Sequence, residues 1–519
     1  MTELSRKTLS TRLMSGILSA GIYQLVAALS PILLVPLFIR AWSAAHYGHW
    51  VTLTAVVSGL TLVDLGGPNY IGNLLAQDYA VGNEEGFKRR LEEGVSLFTA
   101  IAILVLCIAT TLLFTSPLPL LVHVGVFGWE DRGVLFFLGA SVLLSIPLGV
   151  LMAVFRAVGL YAASTMLDNV LRLVTLGLYA CLLFFGVTPA LFAGSQLFGT
   201  TVLAAVVIAY AYRKIPQCRN LKLSLPNAAK GIGYLKGSLL FWLFSLALVA
   251  KQQGPILVLG AIATPLTVVL FATHRTFAGL IGYMVSLFSG PLWPEITGLA
   301  ARCEWERLGR LFFQVLRLVV SLSGIAAIGL WFVFPFLYPL WTGRQLVVSP
   351  TLLLILIVQG MLASGWNFAR LVLLATNRQQ SIAIWSLGNA LITVLLAIAI
   401  GSWLGTIGVA IAGLIGDLLC AMFIFPKLAG AVIGQTAKRF FVVMGSSVAG
   451  LLPLIGSLLF IGSLALRKDI ECYSMIATAL GLAYPTLILS AGKNNLRMAS
   501  EKFRSIFDYR TRSVGEVAP

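Results

Sequence analysis

Charged residues are missing from long runs of this chain, and the runs are the length of a membrane crossing. About fourteen apolar stretches reach roughly 20 residues, enough at ~1.5 Å per helical residue to cross a ~30 Å hydrocarbon layer. Of 519 residues, 59% are apolar and 11% charged, too few charges to cover a water-soluble surface of that size. The pattern predicts an all-α polytopic membrane protein.

The spans fall near 15–39, 48–67, 94–114, 133–155, 163–186, 189–212, 236–260, 265–291, 309–336, 348–374, 380–402, 405–426, 440–465 and 471–491. The run near 15–39 follows Arg6, Lys7 and Arg12 but is too long for the apolar core of a signal peptide, so it reads as a retained first span. The net charge of +17 sits in short loops, mostly on the side of the N-terminus. Among loop cations, Arg40, Arg132, Arg344, Arg467 and Lys468 fall on the other side. That bias places both termini in the cytoplasm and argues against a nucleic-acid partner.

A shift of about 219 positions lays the first six spans on the next six, an even number that gives both copies one orientation. The stretch Gly186–Gly194 then falls on Gly405–Gly413, and the charged loop at Asn83-Glu84-Glu85 on Arg302-Cys303-Glu304. The expected architecture is two six-helix lobes, residues 1–218 and 219–434, in parallel pseudo-repeat around a central cavity. Two further helices (435–492) and a cytoplasmic tail (493–519) follow.

A charge at bilayer depth costs a few kcal/mol or more and needs a partner, water or a task. The cations within spans are Arg172, Lys251, Arg275, Arg317 and Arg370; the acids are Asp64, Asp168, Asp417 and, at a span end, Glu295. Asp168 and Arg172 are four apart and can pair on one helix face. Arg370 sits near its span's end, within snorkelling reach. Lys251 and Arg275 lie deeper, and no acid occurs between Lys236 and Glu295 to neutralise them locally. They predict a cationic cavity that accepts an anion, with Arg317 as a third candidate; pairing with Asp64 or Asp417 from other helices is the competing reading. An Arg fork suits phosphate oxygens, either of a small soluble anion or of a lipid-carrier diphosphate. Asp64, before Gly66-Gly67-Pro68, reads as a cap, hinge or coupling residue; Asp417 and Glu295 are further coupling or gating candidates. Pro291 and Pro294 are expected to break the eighth span.

The six cysteines are scattered without a CxxC pair, and His46 and His49 lack an evident third ligand, so no metal or cofactor is expected. No nucleophile-plus-base arrangement appears, and the loop near 115–132 offers no catalytic constellation.

The run Pro36–Arg40, Tyr47-Gly48-His49-Trp50 and Asp64-Leu65-Gly66 resembles the opening of Wzx-type polysaccharide flippases. Gly290–Glu295, with Glu304 and Arg310 beyond, resembles that family's eighth-helix exit. The resemblance covers about residues 15–430; it departs at Ala41-Trp42-Ser43 and at the extra Gly67-Pro68. It implies the multidrug/oligosaccharidyl-lipid/polysaccharide superfamily fold and a protein of the bacterial inner membrane. It further implies flipping of an undecaprenyl-diphosphate-linked oligosaccharide by alternating access, for O-antigen, capsule or exopolysaccharide. Lys251 and Arg275 would then hold the diphosphate, among membrane lipids and with a polysaccharide polymerase complex as a further partner. The competing functions are a multidrug or cation exporter of the same fold, a membrane glycosyltransferase or ligase, and a non-transporting scaffold for a biosynthetic complex.

Overall fold

The computed structural model describes residues 3–116, 128–158, 160–219, 221, 228–376 and 378–452. Side chains at some helical positions, including 3–25, Asp168 and Glu295, lie outside the described residues, so the expected Asp168–Arg172 pair does too.

The elements are α1 (Glu3–Ser58), a 3₁₀ turn (Gly59–Asp64), α2 (Gly67–Ala80), α3 (Glu84–Thr115), α4 (Trp129–Ala157), α5 (Tyr161–Phe184) and α6 (Pro189–Lys214). Then come α7 (Ala228–Ile262), α8 (Pro265–Ala301), α9 (Trp305–Trp341), α10 (Pro350–Ala375), α11 (Gln379–Asp417), a π turn (Leu418–Met422), α12 (Ile424–Ile433) and α13 (Ala437–Ala449). Among the described residues, nine helical stretches are long and apolar enough to cross a membrane. Two of them, Leu29–Tyr79 and Gln380–Ile433, hold 51 and 54 residues, enough for two crossings each. α13 opens the expected thirteenth span; the rest of it and the fourteenth lie outside the described residues.

The long stretches bend where the span pattern changes. α1 leaves helical geometry at Ser43 (φ 69°, ψ 161°), between the first two expected spans. α11 does so at Gly405 (φ 56°, ψ −132°), between the eleventh and twelfth. Gly186, the repeat partner of Gly405, also has positive φ (67°) and ends α5. Both positions need a left-handed backbone, which glycine adopts without a Cβ penalty. The two glycines that the 219-residue shift superposes thus share a positive φ. Asp64 closes the 3₁₀ turn, Leu65 and Gly66 are left-handed, and Pro68 sits in the first turn of α2, where its missing N–H costs nothing. The expected break at Pro291 and Pro294 is absent: α8 runs through both to Ala301. In a spanning helix, proline removes one hydrogen bond and bends the rod without ending it.

The chain forms two compact units. The first comprises Met1–Thr276, Tyr338–Ile355 and Gln379–Cys420. Its early helices bury one cluster around Phe38, Trp42, Trp50 and Phe192 and another around Ile71, Leu91, Phe98 and Phe155. In it α7 packs along α11, and also against α1 and α2. Arg132, a loop cation in the sequence pattern, is buried here. It donates to the last carbonyls of α3 at Leu113 (2.8 Å), Phe114 (3.2 Å) and Ser116 (3.1 Å), a cationic C-cap.

The second unit comprises Phe277–Leu337, Leu356–Arg378 and Ala421–Pro519. Phe312 of α9 stacks on Phe368 of α10 (5.2 Å) and on Phe440 of α13 (6.4 Å). In the α8–α9 loop, Arg302 and Arg307 donate to Glu304 at 2.7 and 3.2 Å. Those two bonds, Arg302's first, hold the exposed Glu304 carboxyl below the usual carboxylate range.

Candidate functional site: an ion pair within the membrane

α7 and α8 form an antiparallel hairpin through Ala263-Thr264, and the two limbs of α11 form another through Gly405. Counting back from those turns, Lys251, Arg275, Asn389, Thr393 and Asp417 lie roughly 15–25 Å in, the depth of the bilayer middle.

Lys251 Nζ is ion-paired with Asp417 Oδ1. The Asp417 side chain is 2% exposed and that of Lys251 32%. Asn389 Nδ2 donates to the same carboxylate oxygen at 2.8 Å, and Thr393 Oγ1 donates to Asn389 Oδ1 at 3.2 Å. Gly416 makes this approach of the limbs feasible: a Cβ there would stand 2.3 Å from Thr393 Oγ1. The acid that neutralises Lys251 therefore comes from a helix 166 residues away. A local scan sees no partner because the Gly405 turn and the packing of α7 on α11 supply it.

Arg275 is solvated differently. Its Nη1 donates to the Gln252 carbonyl at 2.6 Å, and its guanidinium lies 5.6 Å from the Phe271 ring centre. Pro255 removes the N–H that would serve the Lys251 carbonyl, one residue before the carbonyl that Arg275 meets. The stretch Lys251–Pro255 thus brings both cations together in one neighbourhood, each with a partner.

The other expected site residues make contacts of their own or lie outside the description. Asp64 Oδ1 accepts from the Gly66 N–H at 2.8 Å, capping its own turn. Arg317 is half-buried on α9, in the second unit, where its carbonyl accepts from Ser321 Oγ at 2.8 Å. Glu295 is on α8, its side chain outside the described residues. His46 and His49 part company: His46 meets Ser43 Oγ at 3.0 Å, and His49 meets Asp131 at 2.8 Å. Sequence reasoning missed Asn389 and Thr393. The visible signal was an Asn within an apolar run, four residues before a Thr, one helix turn apart on one face.

No family model and no curated protein matches this chain. Solved structures do. The lipid II flippase MurJ, in an inward closed conformation, is similar over 96% of this chain and 99% of its own (TM-score 0.67, 11% identity). A multidrug resistance MATE family transporter of the MOP superfamily, inward-facing, is similar over 81% of this chain and 95% of its own (TM-score 0.61, 15% identity). The Vibrio cholerae MATE transporter VcmN, in the bent form, is similar over 85% of this chain and 99% of its own (TM-score 0.54, 14% identity). At such identities the likeness is one of fold: this multi-pass membrane protein has the architecture shared by MurJ and the MATE transporters.

Proposed function

We propose that this chain is a flippase that moves a lipid-linked oligosaccharide across the bacterial inner membrane for surface polysaccharide synthesis. One observation carries the reading. The likeness to a flippase structure extends over 96% of the chain, whereas the MATE likenesses stop at 81–85%. Two lobes, residues 1–218 and 219–434, alternate in exposing the cavity, with both termini in the cytoplasm. The undecaprenyl diphosphate enters at the mid-membrane cations. Arg275 offers a fork to the phosphate oxygens. Lys251, paired with Asp417 and 32% exposed, adds a second cation beside that fork. No step needs a cofactor.

The Lys251–Asp417 pair also favours a second reading, a multidrug or cation exporter in which a cationic substrate displaces Lys251 from Asp417. The two differ in which residue is indispensable. In cells, Arg275→Gln, Arg275→Lys, Lys251→Arg and Asp417→Asn are compared at matched membrane levels. The flippase reading expects Arg275→Gln to lose surface polysaccharide while precursor accumulates on the cytoplasmic leaflet, with both Lys/Arg swaps milder. Normal polymer from a well-expressed Arg275→Gln sinks it. Loss of drug resistance in Asp417→Asn alone favours the exporter.

A further inference from the structure

α1 carries two defects in its hydrogen-bond ladder. Pro36 lacks an N–H, so the Ile32 carbonyl has no helical donor. Ser43, at φ 69° and ψ 161°, takes the Ala44 N–H out of register. Both are repaired from the last residue of α9 and the segment after it. Trp341 Nε1 donates to the Ile32 carbonyl at 2.7 Å. Gln345 accepts from the Ala44 N–H at 2.9 Å and donates to the Ile39 carbonyl at 3.4 Å.

A second tie lies one membrane thickness away, since Ala44 to Asp64 spans roughly 30 Å of helix. There the left-handed pair Leu65-Gly66 breaks the chain, and Trp242 Nε1 of α7 donates to the Leu62 carbonyl at 3.0 Å. Gly66 sits so close to α7 that a Cβ would stand 2.5 Å from Phe241 Cβ. Tyr234 Oη donates to Glu93 Oε2 at 2.7 Å beside it. At both ends, then, later residues of the first unit (234–242 and 341–345) fasten onto its earlier ones (32–93), and at both ends a tryptophan indole reaches a carbonyl at a break in the backbone.

We propose that these are two opposed latches: Trp341 and Gln345 shut the Ser43 end, Trp242 and Tyr234 shut the Leu65 end, and their difference sets which end opens. The proposal rests on the alternating-access reading above. Indole and amide bonds to backbone suit this task because each needs one rigid acceptor and releases as a unit.

The test places single reporters in a cysteine-free background reconstituted in nanodiscs, where a soluble maleimide reaches both faces. Thr342→Cys (1% exposed) reports the Ser43 end and Ser238→Cys (0% exposed) the Leu65 end. Trp341→Phe keeps the ring and loses the donor; Gln345→Leu is the second variant at that end. Each should raise labelling of Thr342→Cys about fivefold per hydrogen bond removed and lower that of Ser238→Cys. Trp242→Phe and Tyr234→Phe should do the reverse. A rise at the mutated end without a fall at the other means local loosening and overturns the latches. Unchanged rates, with both wild-type reporters labelling measurably, overturn the latches and leave alternation standing. Reporters that label only after denaturation, in wild type and every variant, overturn alternation and the latches together.

Discussion

Lys251 and Arg275 stand at similar depth on neighbouring helices, and the fold meets their charges in opposite ways. Lys251 is given a countercharge, the nearly inaccessible Asp417, itself held by Asn389. Arg275 is given a backbone dipole, the Gln252 carbonyl. A compact ammonium is strongly hydrated, so losing water demands a full opposite charge; the delocalised guanidinium is more weakly hydrated and is served by a carbonyl and an aromatic face. The first arrangement neutralises the site. The second, among the described residues, sets no carboxylate against Arg275, which is what the proposed anion site asks of it.

The largest effect that tests this contrast falls on the carboxylate. Lys251→Met leaves Asp417 buried without its cation and should lower stability by about 3 kcal/mol, read by thermal unfolding in detergent. Asp417→Leu should cost less, because Lys251 is 32% exposed and can turn toward water. The double variant Lys251→Met/Asp417→Leu should regain most of the loss. A double variant as unstable as the two singles summed breaks the ion-pair account.

A smaller effect is expected at the other cation. Arg275→Met removes one charge-assisted bond to a carbonyl and should cost about 1.5 kcal/mol. Arg275→Lys keeps the charge and should lose less than Arg275→Met by the same measurement. Equal losses in the two variants would show that the charge-assisted bond to Gln252 is not what the arginine supplies.

How far these sites were legible follows from the range of the forces involved. The spans, the breaks at Asp64–Pro68 and Gly405 and the Gly186/Gly405 equivalence are written locally, in hydropathy and in residues with special backbone freedom. The depth of Lys251 and Arg275 was equally plain. Their partners were not: Asp417 is 166 residues from Lys251, and the Gln252 carbonyl lies across the turn between α7 and α8, 23 residues from Arg275. The tryptophan ties were hidden for the same reason, since an indole's acceptor lies on another element. Pro291 and Pro294 misled, because proline's rule for water-soluble helices is relaxed where neighbouring helices satisfy the backbone.

The smallest effect concerns the outer layer of the Asp417 site, which Arg275 has no counterpart for. Thr393 is buried and reaches the ion pair through Asn389, whose amide it orients by donating to Oδ1. Replacing it by Val keeps the shape and removes the hydroxyl, at a cost of about 0.5–1 kcal/mol. If the hydroxyl acts through Asn389 on the carboxylate, that cost should shrink once the carboxylate is gone. Thr393→Val is therefore measured alone and in the Asp417→Leu background, by the same thermal unfolding. A cost that falls toward zero in the second case makes Asn389 and Thr393 positioning residues for the ion pair. A cost unchanged by the loss of Asp417 reduces them to ordinary packing, and the two cations would then differ only in the charge of their nearest partner.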